Sequence, residues 1–472
     1  MEDKRAMIIA PHPDDEINLA GQILPYLQDN DYKIYVVYTT NGDSEVKIGN
    51  KRLVEAIESC EVLGIPRENV LFLGYANEWE KGIHIYNANE NEILSSLIGK
   101  NETNSINNHP EYCFKKSKVH HSFTRKNFKA DLKQCISDIL PEIIICVDFD
   151  SHPDHRGTSL LFEEIMGEIL KENYKYRPLV LKRFAYNGVW KGEKDFYSNP
   201  LEHTILKTGF KYGGVKHELE APCFSVQDAF TVMPSPSRLS WCLSNSKIYK
   251  ASVKHKSTVA WYEMQRVLNG DLKYWIRETN NLLFSNVSIT ASSGLVSYIN
   301  DFKTYDTGDV LSSDMSSVFK EYCWRPDQCD VDKELRIVFD KEKRIKQINI
   351  YEDFRLGHHI SSLEIRIGER AIMVEPNDVG LKSSIFLEDE VTAKSIVIKV
   401  ISGEGEFGIA EIEVLSNGER QYDTISVFNT KIKPLERDGL KILALSERIW
   451  FVLKFIFTFK LQYEAKRLRR KL

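Results

Sequence analysis

The sequence predicts an α/β fold that is followed by an antiparallel β-sandwich and a C-terminal amphipathic helix. Up to about residue 280, short apolar runs alternate with segments of helical spacing, which favours a parallel sheet with helices on both faces. From 287 to 415, apolar and polar residues alternate at period two, which is typical of an antiparallel sandwich. We therefore predict a Rossmann-like domain over residues 1–285 and a β-sandwich over residues 287–415.

The first domain contains strand and helix patterns in alternation. Parallel sheets bind ligands in the loops that follow their strands, so polar residues at those positions are candidates for function. Residues 81–127 interrupt the alternation with a polar, Asn-rich segment, which predicts a long surface loop or lid rather than a core element. The predicted strands are residues 6–10, 32–40, 70–73 and 142–149, and the predicted helices are residues 17–27, 51–63, 128–140 and 160–173.

The sandwich and the C-terminal region complete the chain. A linker over residues 416–437 leads to a helix over residues 438–472, which has a mostly aromatic and aliphatic face and a basic end. Its apolar part would be about 20 Å long as a helix, too short to cross a bilayer. We expect it to lie on an anionic membrane surface; the alternative is a helix that packs on the body or on a second subunit. The predicted sandwich strands are residues 334–340, 345–353, 362–369, 395–402 and 409–415.

Composition excludes several classes of function. The 472 residues carry a formal net charge of -5, which does not favour binding to nucleic acid. Eight cysteines are scattered without a CxxC pair, so neither a zinc finger nor thioredoxin chemistry is indicated. The N-terminal apolar run is too short for a signal peptide. We expect a cytoplasmic protein, held peripherally on the inner face of the cell membrane by its C-terminal helix.

A first polar cluster follows the first predicted strand directly, as Pro-His-Pro-Asp-Asp-Glu. His12 and Asp15 are three residues apart, so a tight turn can aim both at one point, and an imidazole with a carboxylate suits zinc. Asp14 would then remain beside the open metal position, where it can accept a proton from the attacking water. Glu16 is expected to favour the helix dipole. The alternative is an acid-rich helix N-terminus, which leaves the histidine unexplained.

A second cluster, Asp-Phe-Asp-Ser-His-Pro-Asp-His, follows the predicted strand 142–149. The His-x-x-His spacing of His152 and His155, placed in a loop, can give one ligand to a metal and leave the other histidine to face the substrate. A histidine pair alone more often lies in solvent at the protein surface than on a metal ion. Two such clusters, each after a buried strand of one sheet, instead predict a third metal ligand and a second acid–base group.

Together, these two motifs resemble the PIG-L/LmbE family of zinc-dependent N-acetylglucosaminide deacetylases, with the resemblance strongest over residues 5–180. It implies zinc ligation by His12, Asp15 and His155, although related sites accept iron or cobalt. It also implies that Asp14 is the general base. His152 would act as an acid or polarise the oxyanion, and Asp154 would set its charge state.

Two further residues are expected to bind substrate. Arg52 lies in Arg-Leu-Val-Glu, which matches the Arg-x-x-Glu of the family, and would hold sugar hydroxyls or phosphate; the alternative is a surface pair with Glu55. Family members often carry an acid after a Leu-Gly-Tyr-like turn, where this chain has Asn77. An amide can still bind a hydroxyl, so this difference affects the choice of sugar rather than the chemistry.

The sequence therefore predicts a hydrolase that removes an N-acetyl group from an N-acetylated amino sugar, with a lipid-linked or membrane-proximal glycan as substrate. Two alternatives remain: a deacetylase or amidase of a soluble sugar conjugate, and an inactive carbohydrate-binding scaffold. The sandwich resembles discoidin-like, galactose-binding-type domains through Trp324-Arg325 and the two strands that follow. Such modules bind glycans or serve for docking.

Overall fold

A computed structural model describes most of the first two predicted domains. The predicted helix at 438–472, apart from Leu453, and the linker from residue 417 lie outside the described residues. Among the described residues, no helix is both long and apolar enough to cross a membrane. The structure describes residues 4–43, 46–77, 79–80, 84–150, 152–185, 190–191, 205–206, 211–212, 215–216, 229–232, 246–258, 272–304, 323–353, 357–376, 382–416 and 453.

A seven-stranded sheet forms the centre of the first domain, in the order β10-β11-β5-β4-β1-β2-β3. Strands β3, β2, β1, β4 and β5 are parallel, whereas β11 and β10 complete one edge in antiparallel orientation. The predicted α/β class is thus confirmed. The strands of this sheet are β1 (Arg5–Ala10), β2 (Lys33–Thr40), β3 (Val70–Tyr75), β4 (Ile143–Val147), β5 (Leu179–Arg183), β10 (Phe230–Val232) and β11 (Leu272–Arg277). Two short antiparallel pairs are separate from it: β6 (Trp190–Lys191) with β7 (Ile205–Leu206), and β8 (Lys211–Tyr212) with β9 (Val215–Lys216).

Helices pack against this sheet, whose central strand β4 is completely buried, as expected for a strand covered on both faces. The helix predicted over 17–27 is two helices. Pro25 lies in the first turn of the second one, where it has no N–H to continue a helix from the preceding turn. The helices are α1 (Asp15–Ala20), α2 (Leu24–Asp29), α3 (Val46–Leu63), α4 (Tyr112–Ser117), α5 (Arg125–Ile139), α6 (Pro153–Glu172) and α7 (Lys247–Ser252).

The segment predicted as an insertion packs against the domain more closely than a surface loop would. Ile85 of its short 3-10 helix Ile85–Asn87 and Tyr112 of α4 belong to the main core, as do Leu94 and Phe123 of its irregular stretches. Gly157 of α6 permits this approach, because a Cβ there would lie 2.6 Å from a ring carbon of His84. The segment therefore reaches the edge of the sheet where the polar clusters lie.

The second domain is an antiparallel sheet of six strands that enclose their own core, which confirms the predicted class. The strands predicted at 334–340 and 345–353 form one long strand that pairs with a second long strand through shifts of register. Such bulges bend both strands, so that one pair contributes to both parts of the domain. The strands are β12 (Val287–Ala291), β13 (Glu334–Glu352), β14 (Ile360–Ile367), β15 (Arg370–Val374), β16 (Ser383–Gly403) and β17 (Ile409–Leu415).

A buried ionic network joins α6 to the chain that leads into the second domain. The carboxylate of Glu163 accepts hydrogen bonds from Lys182 Nζ and Arg277 Nη1, both at 2.9 Å, and from the backbone N–H of Thr304 at 2.8 Å. Both cations are buried, so they depend on carboxylates for charge compensation. Glu163 pairs with both of them, and Asp148 Oδ1 also lies 3.5 Å from Lys182 Nζ.

A second buried acidic contact lies at the same junction. Glu411 of β17 accepts hydrogen bonds from the backbone N–H groups of Asp301 and Phe302, at 2.9 and 3.0 Å. Burial raises the pKa of Asp301 to about 6, although the nearby Lys303 opposes the shift. Asp301 therefore makes the junction sensitive to pH.

Candidate metal centre and active site

Both predicted clusters lie at the carboxyl edge of the parallel sheet. The chain leaves β1 at Ala10 and β4 at Val147, and these two strands are neighbours. The strand order reverses between them, because β2 and β3 lie on one side and β5 on the other. Such a switch point is where open α/β sheets bind ligands.

Three donor atoms of the clusters form a nearly equilateral triangle. His12 Nδ1 lies 3.1 Å from Asp15 Oδ2 and 3.1 Å from His155 Nε2, and the last two atoms are 3.2 Å apart. Tetrahedral zinc with ordinary bond lengths holds its ligand atoms about 3.3–3.5 Å apart. All three side chains are buried. Two imidazoles and one carboxylate at these separations fit a zinc ion with one open position.

Two carboxylates orient the imidazoles of this triangle. Asp154 Oδ2 lies 2.9 Å from His12 Nε2, and Asp150 Oδ2 lies 2.7 Å from His155 Nδ1. In each ring, the nitrogen that contacts the carboxylate is the one that does not face the triangle. The carboxylate thereby fixes the tautomer with the free lone pair toward the metal position, as in known histidine–metal sites.

The charges of the cluster keep its carboxylates ionised. Burial raises the pKa of Asp15, but the charge of His155 and a hydrogen bond with His12 outweigh it and hold the pKa well below its usual value. Burial likewise opposes ionisation of Asp154, whose pKa is nevertheless lowered by hydrogen bonds with His12 and His84. The same contacts raise the pKa of His12 and His155, so a divalent cation would displace the protons that face the triangle and bind to carboxylates that are already ionised.

His152 lies beside the triangle rather than within it. The structure places it at the N-cap of α6 instead of in a loop, because Pro153 starts the helix. Its Nδ1 accepts a hydrogen bond from the backbone N–H of Asp154 at 3.2 Å, which leaves Nε2 to carry the proton of the neutral ring. A nitrogen of His152 also lies within 4.8 Å of ligand atoms of His12 and His155. It can therefore face a bound substrate or approach the fourth metal position.

Asp14 does not belong to the triangle and is paired with Arg52. Its Oδ2 lies 3.2 Å from Arg52 Nη2, and its side chain keeps 16 % of its surface exposed. Burial raises the pKa of Asp14, while Arg52 opposes the shift. Arg52 also donates to the carbonyl oxygen of Gly42 at 3.3 Å. Glu55, the alternative partner of Arg52, instead accepts hydrogen bonds from Ser257.

Polar atoms with no partner among the described residues accompany Arg52. They are Arg52 Nε and the side-chain oxygens Asn41 Oδ1, Asp43 Oδ2 and Asn77 Oδ1, all of them buried. The backbone N–H of Asn77 donates to the other oxygen of Asp43 at 3.2 Å, so these groups form one cluster. Buried polar atoms without partners are costly.

Three residues of the site were missed by the sequence analysis. His84 Nε2 lies 2.6 Å from Asp154 Oδ1, but its polar segment gives no signal of a role. Asp150 stands inside the second motif, where its acidity was visible although its role was not. Glu16 lies in the first turn of α1, as predicted, but it is buried, and its carboxylate also accepts hydrogen bonds from Ser59 Oγ at 2.7 Å and His255 Nε2 at 2.8 Å.

The structure brings together the predicted ligands His12, Asp15 and His155 and places Asp14, Arg52 and His152 around them. Asp154 is much closer to His12 than to His152, whose Nδ1 is 3.9 Å away. Its contacts therefore support a role in orienting a ligand rather than in setting the charge of His152. The catalytic and binding roles of these residues stay predictions.

Comparison with known proteins agrees with the two motifs. Residues 7–166 match the sequence model of the family described as PIG-L: GlcNAc-PI de-N-acetylase. The family predicted from the motifs is thus confirmed for this segment. No curated protein sequence matches the chain significantly.

Solved structures similar to the chain fall into two groups. One includes the N,N'-diacetylchitobiose deacetylase from Pyrococcus horikoshii (15% identity, 60% of this chain and 86% of that chain, TM-score 0.33). It also includes a deacetylase of the teicoplanin biosynthetic pathway (12% identity, 58% and 97%, TM-score 0.32). The other includes the family 32 CBM from C. perfringens NanJ, solved with galactose (18% identity, 27% and 92%, TM-score 0.20).

Proposed function

We propose that this protein is a metal-dependent hydrolase that removes the N-acetyl group from an N-acetylated amino sugar. The main support for this proposal is the triangle formed by the donor atoms of His12, Asp15 and His155. The carboxylate of Asp14 lies in the same motif and is not part of the triangle. The match of residues 7–166 to the GlcNAc-PI de-N-acetylase family supports the same reaction.

A zinc ion at the triangle would supply a Lewis acid for the amide carbonyl and would acidify a water molecule. Asp14 is the general base, because it lies in the chain between the ligands His12 and Asp15 and its side chain remains partly exposed. It accepts one proton as the oxygen of water bonds to the amide carbon. The Nε2–H of His152 donates a hydrogen bond to the carbonyl oxygen as negative charge develops there.

The second half of the reaction returns the proton. The carbon–nitrogen bond breaks, and the protonated Asp14 delivers its proton to the departing amine. Acetic acid leaves together with the amine, and its proton passes to that amine, so the products are acetate and the ammonium form of the amino sugar, and atoms and charge balance. Arg52 acts on the base as well as on the substrate, because its guanidinium lies 3.2 Å from Asp14. It limits the basicity of Asp14 and fixes the direction of the carboxylate.

The sugar is bound by the polar cluster around Asn77. Arg52 and Asn77 are only partly buried, so their side chains can reach a sugar bound beside Asp14, and a guanidinium and an amide suit a ring with several hydroxyls. We further propose that the sugar is lipid-linked and that the protein is peripheral on the cytoplasmic side of the cell membrane. The support for this is the basic amphipathic segment at 438–472.

The activity is tested by measuring acetate release from soluble and lipid-linked N-acetylglucosamine with the full chain. We expect release that is abolished by a chelator and restored by Zn²⁺, with the lipid-linked sugar preferred. A preference for the soluble sugar would support the alternative of a soluble conjugate. No release from either substrate, in a protein shown to contain the metal, would support the inactive scaffold.

The membrane proposal is tested separately in the full chain by exchanging the basic residues of the last segment for glutamate. Binding to anionic vesicles should be lost, while hydrolysis of the soluble sugar should remain unchanged. Wild-type protein that does not bind anionic vesicles would contradict the membrane proposal and would leave the deacetylase proposal intact. The exchanged residues are Lys466, Arg467, Arg469, Arg470 and Lys471.

A further inference from the structure

We propose that Cys113, His121 and Asp131 form a second zinc site, which fastens the segment around residues 84–124 to the α/β domain. One ligand atom of each residue lies within 4.8 Å of those of the other two. The site shares no residue with the triangle of His12, Asp15 and His155, so it does not depend on the proposed reaction. A thiol, an imidazole and a carboxylate are a donor set that zinc accepts.

The three ligands come from three separate parts of the chain. Cys113 lies in α4, His121 lies in the stretch that follows it, and Asp131 lies in α5 of the domain body. His121 Nδ1 is already 2.8 Å from Asp131 Oδ1. Cys113 and Asp131 are buried, whereas His121 keeps 32 % of its side chain exposed. An ion can therefore enter from the side of the histidine.

Neighbouring groups are arranged to support the ligands. Tyr75 donates a hydrogen bond to Asp131 Oδ2 at 2.8 Å, so it would orient a coordinating carboxylate. The hydroxyl of Thr103 lies 3.2 Å from Cys113 Sγ and 3.3 Å from Glu111 Oε1. This contact brings a second buried carboxylate to the cluster. Hydrogen bonds that hold the ligand side chains in place are a regular part of metal sites.

The segment around residues 84–124 has little regular secondary structure that would stabilise it. Between its 3-10 helix at 85–87 and α5, the only helix is the six-residue α4, and the strand pairing consists of isolated bridges. A segment of this length with few backbone ladders loses much chain entropy on folding. A metal ion that joins two of its points to α5 would offset part of this cost. It would also hold His84, which belongs to the same segment, against Asp154.

Cobalt substitution of the full chain tests this proposal, because only the second site contains a thiolate. Metal-free protein titrated with Co²⁺ should bind two ions and develop a near-ultraviolet sulfur-to-cobalt charge-transfer band. Cys113→Ala should bind one ion and lose the band. Cys135→Ala is the matched control, since Cys135 is a buried cysteine of α5 that we assign to no site, and it should keep both.

The proposal would be overturned by a wild-type protein that binds one ion without the charge-transfer band, or by a band that survives in Cys113→Ala. If Cys113→Ala does not fold, as judged by circular dichroism, His121→Ala provides the same readout, because its partly exposed side chain tolerates truncation. It should bind one ion, and a second ion bound as tightly as in wild type would contradict the site. Catalytic activity is not needed for any of these measurements.

Discussion

Replacing Asp154 with asparagine isolates the orientation of a metal ligand from the ligand itself. The carboxylate of Asp154 contacts His12 Nε2 at 2.9 Å and His84 Nε2 at 2.6 Å, one imidazole on each oxygen. Asparagine has only one acceptor oxygen, and its NH2 group would face the second ring nitrogen. The variant therefore keeps all three predicted ligands but loses an anion that fixes the tautomer of His12.

The expected loss of metal affinity in Asp154→Asn corresponds to one buried, charge-assisted hydrogen bond. Such a bond contributes about 1.5–3 kcal/mol, which corresponds to a weakening of metal affinity by about 10–100-fold. The effect should be on zinc binding and not on folding, because the substitution preserves the volume of the side chain. Hydrolysis at saturating zinc should fall less than hydrolysis at limiting zinc.

Competition with a chromophoric zinc chelator measures this affinity directly. His84→Ala is the matched control, since it removes the other partner of Asp154 and leaves the contact with His12 in place. We expect it to change the affinity by less than about threefold. An Asp154→Asn protein with wild-type zinc affinity, or His84→Ala as weak as Asp154→Asn, would refute the assignment of Asp154 to the orientation of His12.

Three other substitutions test the contacts that stabilise the fold. Glu163→Ala should destabilise the protein by about 3–5 kcal/mol in urea unfolding, because it removes the carboxylate that pairs with buried Arg277 and leaves buried Lys182 with the more distant Asp148; a loss below about 1 kcal/mol would contradict this. Asp301 has a raised pKa of about 6, so the stability of the wild type relative to Asp301→Asn should be highest in acid and fall as the pH rises through about 6. If the free energy of unfolding depends on pH in the same way in wild type and Asp301→Asn, the raised pKa of Asp301 is refuted. Gly157→Ala should lower the free energy of unfolding by about 1–3 kcal/mol and lower Tm, because the added Cβ would meet His84. An unchanged Tm would contradict this, since it would show that the segment around His84 moves aside without cost.

Much of the fold could be predicted because the patterns were strong and local. The apolar run of β4 and the alternation in β17 each identify a strand without reference to the rest of the chain. The long strand β13 was predicted as two because its middle, around Lys341-Glu342-Lys343-Arg344, is polar. In the structure the strand continues through this stretch, with a bend and a shift of register. This continuity depends on pairing with β16, which is distant in the sequence.

The closeness of the candidate metal ligands could be predicted because each of the two motifs follows a strand of the sheet. His12 and His155 are 143 residues apart, yet two adjacent parallel strands place them at the same edge. His84 could not be predicted, because it contacts Asp154 across 70 residues from an irregular segment. Cys113 and His121 likewise lack the short repeated spacing by which metal sites are found in a sequence.

The central claim is tested most directly by the rate of acetate release from zinc-loaded Asp14→Asn compared with zinc-loaded wild type. Both proteins should contain the same amount of zinc at the first site, because Asp14 is not a ligand of the triangle. We predict that the variant loses at least about 100-fold in rate, the usual contribution of a general base. A variant with zinc and near-wild-type rate would contradict the account, as would metal-free wild type that still releases acetate.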